Sequence, residues 1–131
     1  MAIEWDDAKL GTGLPDIDEQ HKEWIRRYNE FETAVANGQG LDTIFNTLAF
    51  LVQYTDVHFS HEEDRMAACD CPALAQNRLA HDQFRTRLNE MLTWLEQAKP
   101  SSFEVVVLQQ ELADWLTNHI TTIDIQLRGC K

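Results

Sequence analysis

The chain has 131 residues, 44% of them hydrophobic, and carries 22 acidic against 11 basic side chains, a formal net charge of −11. That length suits one domain, which buries about two thirds of its unfolded surface without staples. The charge argues against nucleic acid and anionic membrane as partners, since both require a positive footprint.

No apolar run approaches the roughly 18 residues of a membrane span. The start, Met1-Ala2-Ile3-Glu4-Trp5-Asp6-Asp7, lacks the basic residues and apolar stretch of a signal peptide, so a cytoplasmic protein is expected. Three cysteines, Cys69, Cys71 and Cys130, have no framework spacing and read as free thiols in a reducing compartment.

Residues 1–16 read as an N-terminal arm punctuated by Gly11, Gly13 and Pro15, with Trp5 and Leu10 as packing anchors. Asp16 or Asp18 is then expected to cap a first helix. Its inner face is Ile17, His21, Trp24, Tyr28, Phe31 and Val35, spaced by threes and fours. Asn37-Gly38-Gln39-Gly40 ends it. A second helix runs from about Leu41 to Met66 or Ala67, with Ile44, Leu48, Leu51, Thr55, His58, Glu62 and Met66 on one stripe. Pro72 suits the first turn of a third helix, whose stripe is Asn77, His81, Phe84, Leu88, Met91 or Leu92, and Leu95. It stops before Lys99-Pro100. Ser101 or Ser102 caps a fourth, striped by Val105, Leu108, Leu112, Trp115, His119 and Ile123, which ends near Arg128-Gly129. Four amphipathic helices joined by short connections pack antiparallel. The expected fold is all-α, an up-down-up-down four-helix bundle over residues 17–131 behind the arm, in a single domain of 1–131.

Four of the five histidines, His21, His58, His81 and His119, fall one to a helix on the inward stripes. A single histidine on an apolar face is ordinarily a hydrogen-bonded core residue. Antiparallel topology, however, brings all four toward the same end of the bundle, which independent core residues have no reason to do. Glu62 lies one turn below His58, while Glu63 and Asp64 read as a solvated face. Asp124 follows His119 by five residues, about 140° around an ideal helix. A π-bulge between them is expected to turn both inward. Imidazoles and carboxylates without thiolates suit iron, zinc, copper or manganese. Four histidines and two carboxylates are too many for one tetrahedral zinc and about right for two bridged metals.

At this point the chain resembles a hemerythrin of the bacterial type over nearly its whole length. The residues that carry the resemblance are Asp18-Glu19-Gln20-His21, His58-Phe59-Ser60-His61-Glu62-Glu63, His81-Asp82-Gln83-Phe84 and His119-Ile120-Thr121-Thr122-Ile123-Asp124. The resemblance implies a non-heme di-iron centre with an oxo or hydroxo bridge that takes up O2. It places His21 and His58 on the O2-binding iron, His81 and His119 on the other, and Glu62 and Asp124 as bridges. The family's fifth histidine falls at Asn77. A neutral amide is a weak donor beside imidazole, so water or a small anion is expected at that position. His61 is expected outside the ligand set. Phe59, Trp115, Ile120 and Trp24 are candidates for the apolar shell, or plain core residues. Cys71, where the family often has an aromatic, is taken as packing.

The Asn-for-His exchange and the sequence's end straight after the fourth helix resemble the sensory input domain of a diguanylate cyclase. The expected function is therefore O2 or redox sensing by a domain that is not itself an enzyme, and a covalently attached signalling output domain is an expected partner. A free-standing O2 carrier is the alternative, and a di-iron peroxidase or oxidase stands behind it.

Overall fold

A computed structural model describes residues 2–130; Met1 and Lys131, the two ends of the expected domain, lie outside the described residues. Its elements in order are α1 (Asp7–Leu10), α2 (Pro15–Ala36), α3 (Leu41–Ala68), α4 (Leu74–Ala98), α5 (Ser102–Thr122) and a 3₁₀ segment (Asp124–Gly129). No strand occurs among the described residues. The four long helices form the expected bundle, with α2 against α3 and α5, and α3 against α4. Among the described residues no helix is long and apolar enough to cross a membrane.

The arm is more ordered than its composition suggested. Asp6 caps α1 by accepting a hydrogen bond from the Ala8 amide. Gly11 then passes so close to Asp7 that a Cβ would sit 2.6 Å from its carbonyl oxygen. Asn29 and Ile3 exchange two hydrogen bonds, and Arg128 donates to the carbonyls of Gly11 and Ala8, so the arm is held from both sides.

Helix α2 begins two residues earlier than expected, and neither Asp16 nor Asp18 is its cap. Leu14 occupies that place without a side-chain bond, and Pro15 supplies the first turn. A proline there has its φ preset and loses no intrahelical hydrogen bond. Asp18 instead accepts from the amide and hydroxyl of Thr12. Gly38, at φ +65°, ends the helix in the left-handed region. The α3–α4 corner turns on Asp70, at φ +53°, and Pro72 precedes α4 by two residues, not lying within it. At the start of α5 the Ser101 hydroxyl accepts from the Glu104 amide while the Glu104 carboxylate accepts from the Ser101 amide, a complete capping box.

The expected stripes point inward with two adjustments. Ala34 is buried and Val35 only partly so; Leu116 is fully buried and Trp115 half-buried. The apolar interior divides in two. The larger part contains Trp24, Tyr28, Phe31, Leu48, Phe59 and Leu112. The smaller contains Leu14, Ile17, Met66, Ala73, Ile123 and Leu127. Along each long helix the change from one to the other occurs at the same level: between Ile17 and Trp24, Phe59 and Met66, Ala73 and Phe84, and Ile120 and Ile123. That level holds the polar layer.

No π-bulge forms between His119 and Asp124. The Ile123 amide still bonds to the His119 carbonyl in the α pattern, after which Gln126 to Ile123 and Cys130 to Leu127 are three-residue bonds. The chain leaves the α-helix at Ile123, with φ −107° and ψ −54°, and enters a 3₁₀ segment that begins at Asp124 itself, so Asp124 turns inward at the junction of the two and not on a continuous helical face. The cysteines are not all free. Cys69 and Cys130, 61 residues apart, are joined through their sulfurs with Cα atoms 5.6 Å apart, and only Cys71 remains a thiol. Fold, not local spacing, brings that pair together.

Candidate metal centre

His21, His58, Glu62, Asn77, His81, His119 and Asp124 are all buried in the polar layer. Helix α3 is its axis, because His58 and Glu62 are one turn apart on its inner face and their Nε2 and Oε2 atoms approach to 3.2 Å. From α2, His21 Nε2 lies 3.0 Å from Glu62 Oε2 and 3.1 Å from Asp124 Oδ2. From α4, His81 Nε2 lies 3.2 Å from Glu62 Oε1 and 3.1 Å from His119 Nε2. His119 Nε2 lies 3.1 Å from Asp124 Oδ1.

The ligand-type atoms sort into two groups, each gathered within 4.8 Å: His21, His58, Glu62 and Asp124, and Glu62, His81, His119 and Asp124. Both carboxylates belong to both groups, and each directs one oxygen to each side. The geometry therefore brings together all six residues expected from the sequence.

Two of the imidazoles are oriented from outside. His58 Nδ1 donates to Gln20 Oε1 at 2.9 Å, and His81 Nδ1 donates to Glu63 Oε2 at 2.8 Å. A hydrogen on Nδ1 leaves Nε2 as a bare lone pair facing the interior, the tautomer a metal requires. Glu63 looked like a solvated acid in sequence. Its role is visible only once α4 is packed against α3.

The polar inventory does not close without a cation. Buried and without a well-formed hydrogen bond are His21 Nδ1, His58 Nε2, Asn77 Oδ1 and both oxygens of Asp124. The His81 and His119 Nε2 atoms meet at 3.1 Å, a contact that one of them can make only by keeping a proton on the nitrogen that a metal would use. Buried polar atoms left in this state are costly. Cations between the six residues would satisfy His58 Nε2 and the Asp124 oxygens, so this donor set fits a pair of metal ions.

Without metal, a proton serves in part. Burial presses the His21 pKa down, but the facing Asp124 and Glu62 carboxylates outweigh it and raise it to about 10. Burial works against the charged form of Glu62 too, yet the surrounding histidines hold its pKa well below the usual carboxylate range. His58 goes the other way: burial lowers its pKa more than Glu62 raises it.

Asn77 stands where a fifth imidazole was missing. Its Nδ2 donates to Glu62 Oε1 at 2.8 Å and approaches the Met66 sulfur at 3.3 Å, leaving Oδ1 unpartnered. The amide thus braces a carboxylate. His61 points away, its Nε2 3.0 Å from Asp16 Oδ2, beside Arg65.

Aromatic rings close the layer on the side of the larger core. Phe59 stacks on His81 at 3.6 Å between centroids. Trp115 stacks on both His119 and Phe84, at 4.3 and 3.6 Å. Trp24 lies 5.1 Å from His58 and donates its indole hydrogen to Thr55. Ile120 is buried in the larger core.

Comparison with known proteins agrees with this arrangement. A family model described as the hemerythrin HHE cation binding domain matches residues 12–127. A bacteriohemerythrin of Stenotrophomonas maltophilia is 30% identical over 116 residues, covering 88% of this chain and 72% of that protein. One from Methylococcus capsulatus is 28% identical over 123 residues, covering 92% and 89%. The hemerythrin of Siphonosoma cumanense is 29% identical over 125 residues, covering 94% and 89%. A crystal structure of wild-type hemerythrin shares the fold at a TM-score of 0.88 and 23% identity, over 99% of this chain and 98% of that one. A match over most of the chain, together with paired histidine and carboxylate clusters able to hold a di-iron centre, shows that the chain belongs to the hemerythrin family.

Proposed function

We propose that this chain is an O2-responsive di-iron domain whose ligands are His21, His58, His81, His119, Glu62 and Asp124. His21 and His58 hold the iron that meets O2, His81 and His119 hold the other, and Glu62 and Asp124 bridge them. The observation that carries this reading is the sharing of both carboxylates between two buried histidine pairs. Iron bound there supplies one electron per ion toward O2. The protein's part is to orient and to exclude water. Gln20 and Glu63 fix ring tautomers, Asn77 steadies Glu62, and Phe59, Trp24, Trp115 and Ile120 keep the layer dry.

Asn77 favours sensing over storage. An imidazole there would add a strong donor to the His81–His119 ion. The amide turns its nitrogen to Glu62, which leaves that ion open to water or a small anion. An ion short of one nitrogen donor oxidises readily, which suits a domain that reports O2 to an attached signalling module such as a diguanylate cyclase. On this reading the domain is not itself an enzyme. Reversible O2 carriage is the second reading, favoured by the bacteriohemerythrin relatives.

Metal analysis with absorption spectra under anaerobic and aerobic conditions is the test. Two irons per chain, with near-ultraviolet charge-transfer bands that vanish on reduction, are expected. Tightly held zinc, or bands that do not respond to O2, would overturn the assignment. Reversible oxygenation persisting through repeated cycles would favour carriage.

A further inference from the structure

The Cys69–Cys130 pair lies outside the donor set and is used by nothing described so far. Cys69 directly follows α3, the helix of His58 and Glu62; Cys130 directly follows the 3₁₀ segment that begins at Asp124. Their bond ties the ends of the two elements that supply the shared carboxylates. It does so within the smaller core, where Leu127 and Ile123 flank Asp124 in sequence and Met66 touches Asn77. The 3₁₀ segment needs such a tie. Its three-residue hydrogen bonds have poorer geometry than α-helical ones, and only six residues separate Ile123 from Cys130. It is also held by Leu127 in the smaller core, by the contacts of Asp124 with His21 and His119, and by Arg128, bonded to the carbonyls of Gly11 and Ala8.

We propose that Cys69 and Cys130 form a reversible redox clasp that locks the Asp124 segment against the end of α3, so that thiol oxidation tightens the metal site. The coupling to iron rests on the ligand assignment above. Cys69 is partly exposed whereas Cys130 is buried, so Cys69 is the entry point. Its thiolate attacks one sulfur of a low-molecular-weight disulfide, forming a mixed disulfide and releasing one thiolate, which takes up the Cys69 proton. Cys130 then attacks the Cys69 sulfur, and the second small thiol leaves with the Cys130 proton. One external disulfide is reduced to two thiols while two protein thiols become one cystine.

The experiment compares iron-loaded protein equilibrated with oxidised glutathione against the same protein kept in a phosphine reductant. Wild type is set beside Cys69→Ser, Cys130→Ser and Cys71→Ser. Non-reducing peptide mapping is expected to show a Cys69–Cys130 link in the oxidised wild type and in the Cys71 variant. Iron loss to an external chelator is expected to slow by roughly tenfold on oxidation in those two proteins. It should be unchanged by oxidation in the other two. The metal-free protein provides an independent readout, because oxidation should protect residues 124–130 from limited proteolysis. A Cys69–Cys71 link, or three free thiols after oxidation, overturns the clasp. Protection of the metal-free protein without slower iron loss overturns its coupling to the site. Protein that takes up no iron fails the ligand assignment instead, and the proteolysis readout still decides whether the clasp forms.

Discussion

His21 is held between two carboxylates that would otherwise repel each other, and without metal it answers them with a proton. Its folded pKa of about 10 lies above the ordinary 6.5. The stabilisation this gives the metal-free fold is complete below about pH 6.5 and is lost as pH rises through about 10. A metal needs the imidazole neutral, so loading must expel that proton. Iron uptake at pH 7.5 is expected to release a proton from His21 to solvent, measurable with an indicator dye in weak buffer. Apparent affinity should climb between pH 6.5 and 10, and His21→Gln should flatten that part of the profile. Asn77 makes the opposite bargain, remaining neutral and bracing Glu62 without binding strongly. Asn77→His is expected to slow oxidation of the diferrous protein and to weaken azide binding, both followed by absorbance. Unchanged rates and affinity would remove Asn77 from the argument.

At the scale of the element, each helix carries a separate instruction for its own limits. The capping box of α5 satisfies amides at its first turn through Ser101 and Glu104. Ser101→Ala is expected to cost about 1 kcal/mol in chemical denaturation. The box, the glycine after α2 and the stop before Pro100 are short-range signals, so they are legible in the sequence. The inward stripes are legible for the same reason: a period near 3.6 places His58 and Glu62 together before anything is known of their neighbours. What sequence misjudges is how an element ends under tertiary demand. Five residues from His119 to Asp124 leave the two on different faces of a continuous α-helix, so the helix must break between them. The break falls at Ile123, and the 3₁₀ segment that follows carries Leu127 into the smaller core. Trp115 and Leu116 compete for the interior of α5, and Leu116 takes it because the indole is occupied in bridging Phe84 and His119. Glu63 and Cys130 were illegible because each gains its role from a partner on a different element, His81 in one case and Cys69 in the other.

The whole molecule is a bundle interrupted by one polar layer, with apolar packing above and below it at a common level on every long helix. That layer has the residues of a metal centre and also its destabilising character. Buried carboxylates and imidazoles without a cation contribute less to the fold than apolar side chains of their size. Metal-free protein is therefore expected to unfold at lower denaturant concentration than loaded protein, with the gap growing as free metal rises, as linkage requires. Thermal or urea unfolding at several metal concentrations measures this directly. The double membership of Glu62 and Asp124 adds a stoichiometric consequence. A first ion that expels the His21 proton and fixes both carboxylates leaves half of the neighbouring ligand set already deprotonated and in place. Loading is then collective. Under limiting iron, native mass spectrometry should find empty and doubly loaded chains in excess of singly loaded ones, so that a metal shortage divides the population and does not dilute it.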